Sequence, residues 1–359
     1  MLIKFTYFVN IVMSTTFKKQ LHRTRKIAGL SMDELVAKTG HMISKNAISR
    51  YERGVMLPSS RNLELLSNAL GVTPDFLVQE NNISITNIEF RKKYRLTLKD
   101  ENRIKEKLCQ LAEHYLDIET LLVIEDKHDL SFFYGLSHEY NSDIIAQSIR
   151  LQWNLGTSPI HSIYDLFEVH DIRMVEFDEI NGFDGLSGFV NDRFPFIVIN
   201  SNMTVERKRF TAAHELAHLL LYQNDIPRKE ELCNAIARKF LLPPEEFIKR
   251  IGKNRNGIFI EELIVIQKIF GISIRAMLYC ARESGVISNN HFLRLKRTFQ
   301  ENEELARCID KERYVSKEYP MRFHNLVLKA LSMELISKVK ASELLQYNQN
   351  APEEKFTYL

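Results

Sequence analysis

Lys208-Arg-Phe-Thr-Ala-Ala-His-Glu-Leu-Ala-His-Leu-Leu-Leu-Tyr222 decides how this chain is read. Its spacing predicts one helix. At about 3.6 residues per turn, the imidazoles of His214 and His218 fall on one face a turn apart. Both can reach a single tetrahedral zinc ion. Glu215 follows the first histidine, where a carboxylate can hold a water and take its proton as that water attacks a carbonyl. The flanks Phe210, Ala213, Leu216, Ala217, Leu219 and Leu220 are apolar, so the helix is expected to be packed. Two histidines and a glutamate beside a buried face are costly unless something satisfies them.

A second helix is expected downstream in Lys229-Glu-Glu-Leu-Cys-Asn-Ala-Ile-Ala-Arg-Lys-Phe-Leu-Leu-Pro243, from the apolar spacing of Leu232, Ile236, Ala237, Phe240 and Leu241. Glu230 or Glu231 could be a third protein ligand, leaving the fourth position open as catalytic zinc requires. Either could equally be a solvated acid at a helix start. Glu230 and Asn234 share a face, so Asn234 could hydrogen-bond a liganding histidine and fix its tautomer.

These two blocks resemble the ImmA/IrrE family of metallopeptidases, whose pattern is R-F-T-x-A-H-E-x-x-H-x-L-L followed by E-x-x-A-N-x-F-A-x-x-L-L-M-P. The resemblance covers about 160 to 285. It implies that His214, His218 and Glu230 bind zinc and that Glu215 is the general base. The chain departs from the pattern at Cys233 for Ala, Ile236 for Phe, Phe240 for Leu and Leu242 for Met, all apolar exchanges. Tyr222, which follows His218 by one helical turn, is a candidate to assist at the oxyanion, though a packed tyrosine is the more ordinary reading, and Arg207 and Arg209 are either helpers there or simple surface charges.

Upstream the period changes from that of helices to that of strands. Ile172–Phe177, Leu186–Val190 and Pro195–Asn200 read as strands, with Asn191-Asp-Arg-Phe194 as a hairpin connection. A small sheet before the helix could align a peptide substrate by accepting it as an extra strand. It could also simply back the helix.

The N-terminal part reads as a run of short helices. Phe17, Leu21 and Ile27 mark an amphipathic segment. Ser31-Met-Asp-Glu34 has the form of a capping box, and Gly40 ends the helix it opens. Ser44 to Gly54 forms the next helix, Ser59 or Ser60 caps a fourth, and Pro74-Asp-Phe-Leu77 starts a fifth. Two short helices about a turn, the second rich in small polar and basic residues, follow helix-turn-helix logic. Lys45, Asn46, Ser49 and Arg50 would then sit near base edges or phosphates of double-stranded DNA. Residues 14–80 carry ten Lys/Arg and six Asp/Glu, a balance of 10 − 6 = +4, in the direction that phosphate binding requires. The segment resembles the Cro/CI-type (XRE family) helix-turn-helix of repressors, through Leu30-Ser-Met-Asp-Glu-Leu, Ile48-Ser-Arg-Tyr-Glu-Arg-Gly54, Pro58 and Leu70-Gly-Val. Gly40 to Ile48 is about two residues longer than the usual turn of that family.

The expected fold is mainly α with a small β-sheet. It comprises a tail or mis-assigned start at 1–13, an all-α helix-turn-helix domain at 14–80 and a linker with a helical connector at 81–160. An α+β zincin-like zinc metallopeptidase domain follows at 161–285, then a helical region at 286–359 whose tail from Gln349 is expected to be disordered. The connector should hold a short extended piece within 81–96 and a long helix from about Lys99 to Ile124. Charged residues at 26% and hydrophobic residues at 45%, with a net charge of +3, describe an ordinary globular chain and demand no single partner. Four scattered cysteines argue against a disulfide framework and suit a reducing, cytoplasmic compartment. Met1 to Val12 is apolar but too short to span a bilayer.

Two functions follow. One is a DNA-binding regulator carrying a zinc-dependent endopeptidase that cleaves a protein, which the family resemblance implies is a transcriptional repressor. The other is a non-proteolytic regulator or antitoxin-like binder whose zinc is structural or sensory.

Overall fold

The computed structural model describes residues 16–22, 24–25, 30–70, 72, 74–78, 85–92, 98–124, 130, 141–178, 183–222, 226–253, 255, 257–301, 314–315 and 318–346. The segment up to residue 13, Ile27, Cys308 and the tail from Gln349 lie outside them. Contacts divide the chain into two compact units, Met1–Ile85 with Leu96–Asp117, and Thr86–Arg95 with Ile118–Leu359.

In the first unit a helical segment at 16–22 precedes α1 (Met32–Lys38), α2 (Lys45–Glu52), α3 (Ser60–Leu70) and α4 (Pro74–Val78). Local chemistry starts these helices. The Ser31 hydroxyl accepts from the Glu34 amide while the Glu34 carboxylate accepts from the Ser31 amide, the reciprocal cap expected at α1. Ser44 caps α2 through the Ala47 amide, and Ser59 accepts from the Asn62 amide at α3. The long turn between α1 and α2 is accommodated by two successive left-handed residues, Gly40 (φ 63°) and His41 (φ 60°). It is pinned by Ile43, which is buried with Phe17, Leu21, Leu35, Ile48, Tyr51, Leu66 and Leu77. Arg25 makes a two-pronged bond to Glu52, Nε to Oε1 at 2.5 Å and Nη2 to Oε2 at 2.8 Å, and also donates to the Leu30 carbonyl. Burial by itself would raise the Glu52 carboxyl, but the bonds from Arg25 and His22 hold it down to about 2.

Two elements follow, the strand β1 (Ile85–Lys92) and the helix α5 (Leu98–Leu121). They correspond to the extended piece and the long helix expected there.

The second unit holds α6 (Ser142–Gln152), α7 (Ile163–Val169), β2 (Arg173–Phe177), β3 (Phe183–Val190) and β4 (Phe194–Asn200). Then come α8 (Val205–Leu220), α9 (Lys229–Leu241), α10 (Pro244–Ile251), α11 (Ile260–Phe270) and α12 (Ile274–Glu283). Three further helices close the described chain, α13 (Asn289–Glu301), α14 (Arg322–Ser332) and α15 (Lys338–Gln346). The sheet order is β1-β3-β4-β2. β2 runs parallel to β4, with Val175 opposite Val198, and β3 runs antiparallel to β4, with Ser187 opposite Ile197. Asn191 and Asp192 make the expected hairpin, both with left-handed backbone that their short polar side chains tolerate. The architecture is mainly helical with one small mixed sheet, as the sequence predicts.

β2, β3 and β4 are buried along most of their length, and α8 packs against β3 and β4. The core gathers Ile197 and Ile199 from the sheet, Leu216 and Ala217 from α8, and Phe167, Phe240 and Phe270 from other helices. β3 begins three residues earlier than expected, and Gly185 explains the difference. A Cβ there would lie 2.6 Å from Thr211 Cγ2 and 3.2 Å from the Val198 carbonyl. Glycine is thus a strand residue here, bringing the strand onto the helix, rather than a turn signal. Among the described residues no single helix is long and apolar enough to cross a membrane.

Candidate metal centre

Every residue of α8 from Thr211 to Leu220 is buried, so the helix is locked on all sides. The His214 and His218 side chains are 0% and 4% exposed. α9 packs against α8 and brings in Glu230 from its first turn. The two Nε2 atoms are 3.0 Å apart, His214 Nε2 lies 3.3 Å from Glu230 Oε2, and His218 Nε2 lies 3.1 Å from Glu230 Oε1. Four ligands about 2.05 Å from a tetrahedral ion are about 3.3 Å apart. Two nitrogens and one oxygen at these separations therefore fit one zinc ion without rearrangement. The Glu230 side chain is 66% exposed, whereas both imidazoles are buried. Bonding to His214 and His218 holds the Glu230 carboxyl well below the usual carboxylate range.

Glu231 does not join the group. Its carboxylate lies 4.0 Å from Arg228 and lines a different cleft. The carboxylate placed at the histidines is the one implied by the resemblance.

Glu215 is fully buried, and its Oε2 accepts from the Ser187 hydroxyl at 2.8 Å. Ser187 projects from β3 two residues beyond Gly185, on the same face of the strand. A Cβ at Gly185 would touch Glu215 Cγ at 3.4 Å. One strand therefore closes over the carboxylate with a hydrogen bond at one residue and the absence of a side chain at the other.

Several expected roles do not survive the geometry. Among the described residues no bond joins Asn234 to either histidine. It lies four residues past Glu230, about 40° further round the helix. That rotation points it into a cleft of about 1030 Å³ lined also by Arg207, Phe210, Arg238, Tyr279 and Arg282. Burial raises the thiol of the neighbouring Cys233, and His218 opposes that rise. Tyr222 packs on the Phe189 ring at 4.8 Å between centroids. Arg207 is engaged by Asp184 at 2.6 and 2.8 Å. Arg209 is wholly buried in an ion pair with Glu318, and donates to the carbonyls of His161, Ile160 and Phe270. Glu318 in turn accepts from the Ile163 and Tyr164 amides and the Ser162 hydroxyl. Arg209 is a clamp on the metal helix, not a group at its site.

In the first unit, α2 presents Lys45, Asn46 and Arg50 to solvent, with Ser49 half-buried between them. Ile48 and Tyr51 face the core from the other side of the same helix. Lys45 already bonds Asp33 at 2.7 Å, both exposed. Arg25, counted above with the charges available to phosphate, is instead buried against Glu52.

Residues 167–281 match the family model described as Peptidase_M78, IrrE N-terminal-like domain, and residues 21–77 match the model of a helix-turn-helix domain, HTH_3. The second unit thus contains a metallopeptidase-type domain, and the first a helix-turn-helix of the XRE type. No curated protein matches the chain.

Proposed function

We propose that this protein is a DNA-binding regulator carrying a zinc-dependent endopeptidase, and that its substrate is another protein, a transcriptional repressor. One observation carries the enzymatic reading: a buried carboxylate, Glu215, fixed by Ser187 and adjacent in sequence to His214, in a group of only three possible metal ligands among the described residues. A structural zinc site is normally closed by four protein ligands, whereas a catalytic one keeps a corner open.

His214, His218 and Glu230 would hold the ion. When bound, zinc supplies Lewis acidity at the scissile carbonyl. Glu215 takes a proton from the attacking water and delivers it to the departing amine nitrogen. Hydroxyl thus adds to the carbonyl carbon as the C–N bond breaks. Ser187 keeps the carboxylate in one orientation for both transfers. The exposed face of α2 provides the polar and basic side chains that enter a major groove.

The test is Glu215→Gln in the full chain. Zinc should remain at one ion per chain while cleavage disappears. The substrate is sought by comparing new protein N-termini in cells carrying the parent and the variant. Identical N-termini would sink the peptidase and leave a regulator whose zinc senses metal or stabilises the fold.

A further inference from the structure

β3 does more than cover Glu215. Gly185 meets Thr211 and Glu215, Ser187 bonds Glu215, and Phe189 packs on Tyr222. The strand therefore tracks α8 and the turn after it, from Thr211 to Tyr222, in the same direction, past His214 and His218. One edge of β3 is paired with β4. The other is taken by β1, a segment of this chain that follows the helix-turn-helix.

The direction of β1 follows from one anchor. Thr86 donates to Asp192 Oδ1 at 2.6 Å and to the Phe189 carbonyl at 3.4 Å, at the C-terminal end of β3. β3 stops at Val190. An eight-residue strand anchored there by its second residue can lie along β3 only by running back toward Phe183. β1 is thus antiparallel to β3, and its backbone passes the level of Glu215 one strand spacing, about 4.8 Å, to the side.

We propose that the outer edge of β3 is the lane in which an extended peptide substrate adds to the sheet, and that residues 85–92 occupy it as a built-in competitor. The proposal rests on the peptidase reading. Recognition by strand addition is mostly main-chain, so the partner it fits is any β-prone segment with free backbone groups. A competitor in the same chain acts at an effective concentration of order millimolar. It suppresses weak, chance substrates and yields to one that also binds elsewhere, or when residues 85–92 are drawn off the sheet.

The experiment uses the full chain with Glu215→Gln, so that nothing is consumed. A fluorescent peptide of residues 85–92, Ile-Thr-Asn-Ile-Glu-Phe-Arg-Lys, is titrated into it. The same is done with Thr86→Val and with Ile88→Pro added separately. Proline locks φ at about −65°, away from the value that a paired strand adopts. Ile88→Pro should bind the peptide at least ten-fold tighter than the parent, and Thr86→Val a few-fold tighter. With Glu215 intact, cleavage of the peptide should rise in the same order. Thermal melts establish that the variants are folded, and Thr86→Val, nearly isosteric, guards against loss of the proline chain. Equal binding by all three chains overturns the proposal, even if Glu215-dependent cleavage of other proteins is found. Tighter binding in the expected order keeps the lane, and the peptidase reading falls only if no Glu215-dependent cleavage of any protein is found as well.

Discussion

At the scale of single residues, the centre depends on four side chains and one hydroxyl that no motif names. His214→Ala should abolish zinc retention, read by metal analysis of the purified chain, because the two remaining donors cannot hold the ion against buffer. Ser187→Ala should leave zinc content unchanged and lower kcat by about 10- to 100-fold with little effect on KM, whereas Ser187→Thr keeps the hydroxyl and should recover part of the loss. An equal fall for alanine and threonine would mean that packing, not the bond to Glu215, is what matters. The histidines and Glu215 were legible because their relation is local: five consecutive residues on one helix fix it. Ser187 was not, because it meets Glu215 across 28 positions of sequence and a strand-to-helix contact. Asn234 misled for a related reason. Helical spacing gives its azimuth to within a fraction of a turn, and that fraction decides between the histidines and the neighbouring cleft.

At the scale of elements, β3 and α8 approach so closely that the smallest substitution becomes informative. Gly185→Ala places a methyl within 2.6 Å of Thr211 Cγ2. We expect about 1–3 kcal/mol of lost stability from such overpacking, measured by urea unfolding, together with a fall in zinc affinity if the strand is pushed off the helix. Arg209→Ala should cost more, about 3–5 kcal/mol, because Glu318 is left as an uncompensated buried charge. Arg209→Ala combined with Glu318→Gln should recover a good part of that. The strands β2 and β4 and the helices α8 and α9 could be read from apolar spacing. The early start of β3 could not, since a glycine between apolar residues also marks turns. The clamp on α8 could not either: Arg209 looks like surface charge until a carboxylate 109 residues away is placed on it.

At the scale of the molecule, the two units are expected to answer pH differently. In the first, Glu52 has its carboxyl lowered from 4.5 to about 2. Its stabilising bonds to Arg25 and His22 are fully present above pH 4.5 and are lost as pH falls toward 2. In the second, burial raises Glu168 from 4.5 to about 8, against the opposing amides of Arg322 and Met321. The folded state therefore holds a proton that the unfolded chain releases, so stability from this residue is complete below pH 4.5 and is lost as pH rises through 8. The single tryptophan, Trp153, is stacked on His170 at 4.3 Å in the second unit, so its fluorescence reports that unit alone, while far-ultraviolet circular dichroism reports both. Denaturant midpoints followed by the two signals at pH 3 and pH 8.5 should separate in opposite senses. Coincident midpoints at both pH values would show that the two groups do not govern the units.

The partnership of Arg209 with Glu318 also bears on the order in which the chain is made. A ribosome releases the histidine-bearing helix long before the carboxylate that neutralises it, since the two lie 109 residues apart. Until Glu318 emerges, the folded position of Arg209 would strand a cation in the core, so the nascent helix has reason to stay loose. Chains truncated before residue 318 should accordingly be recovered without metal, whereas chains that include Glu318 should retain it.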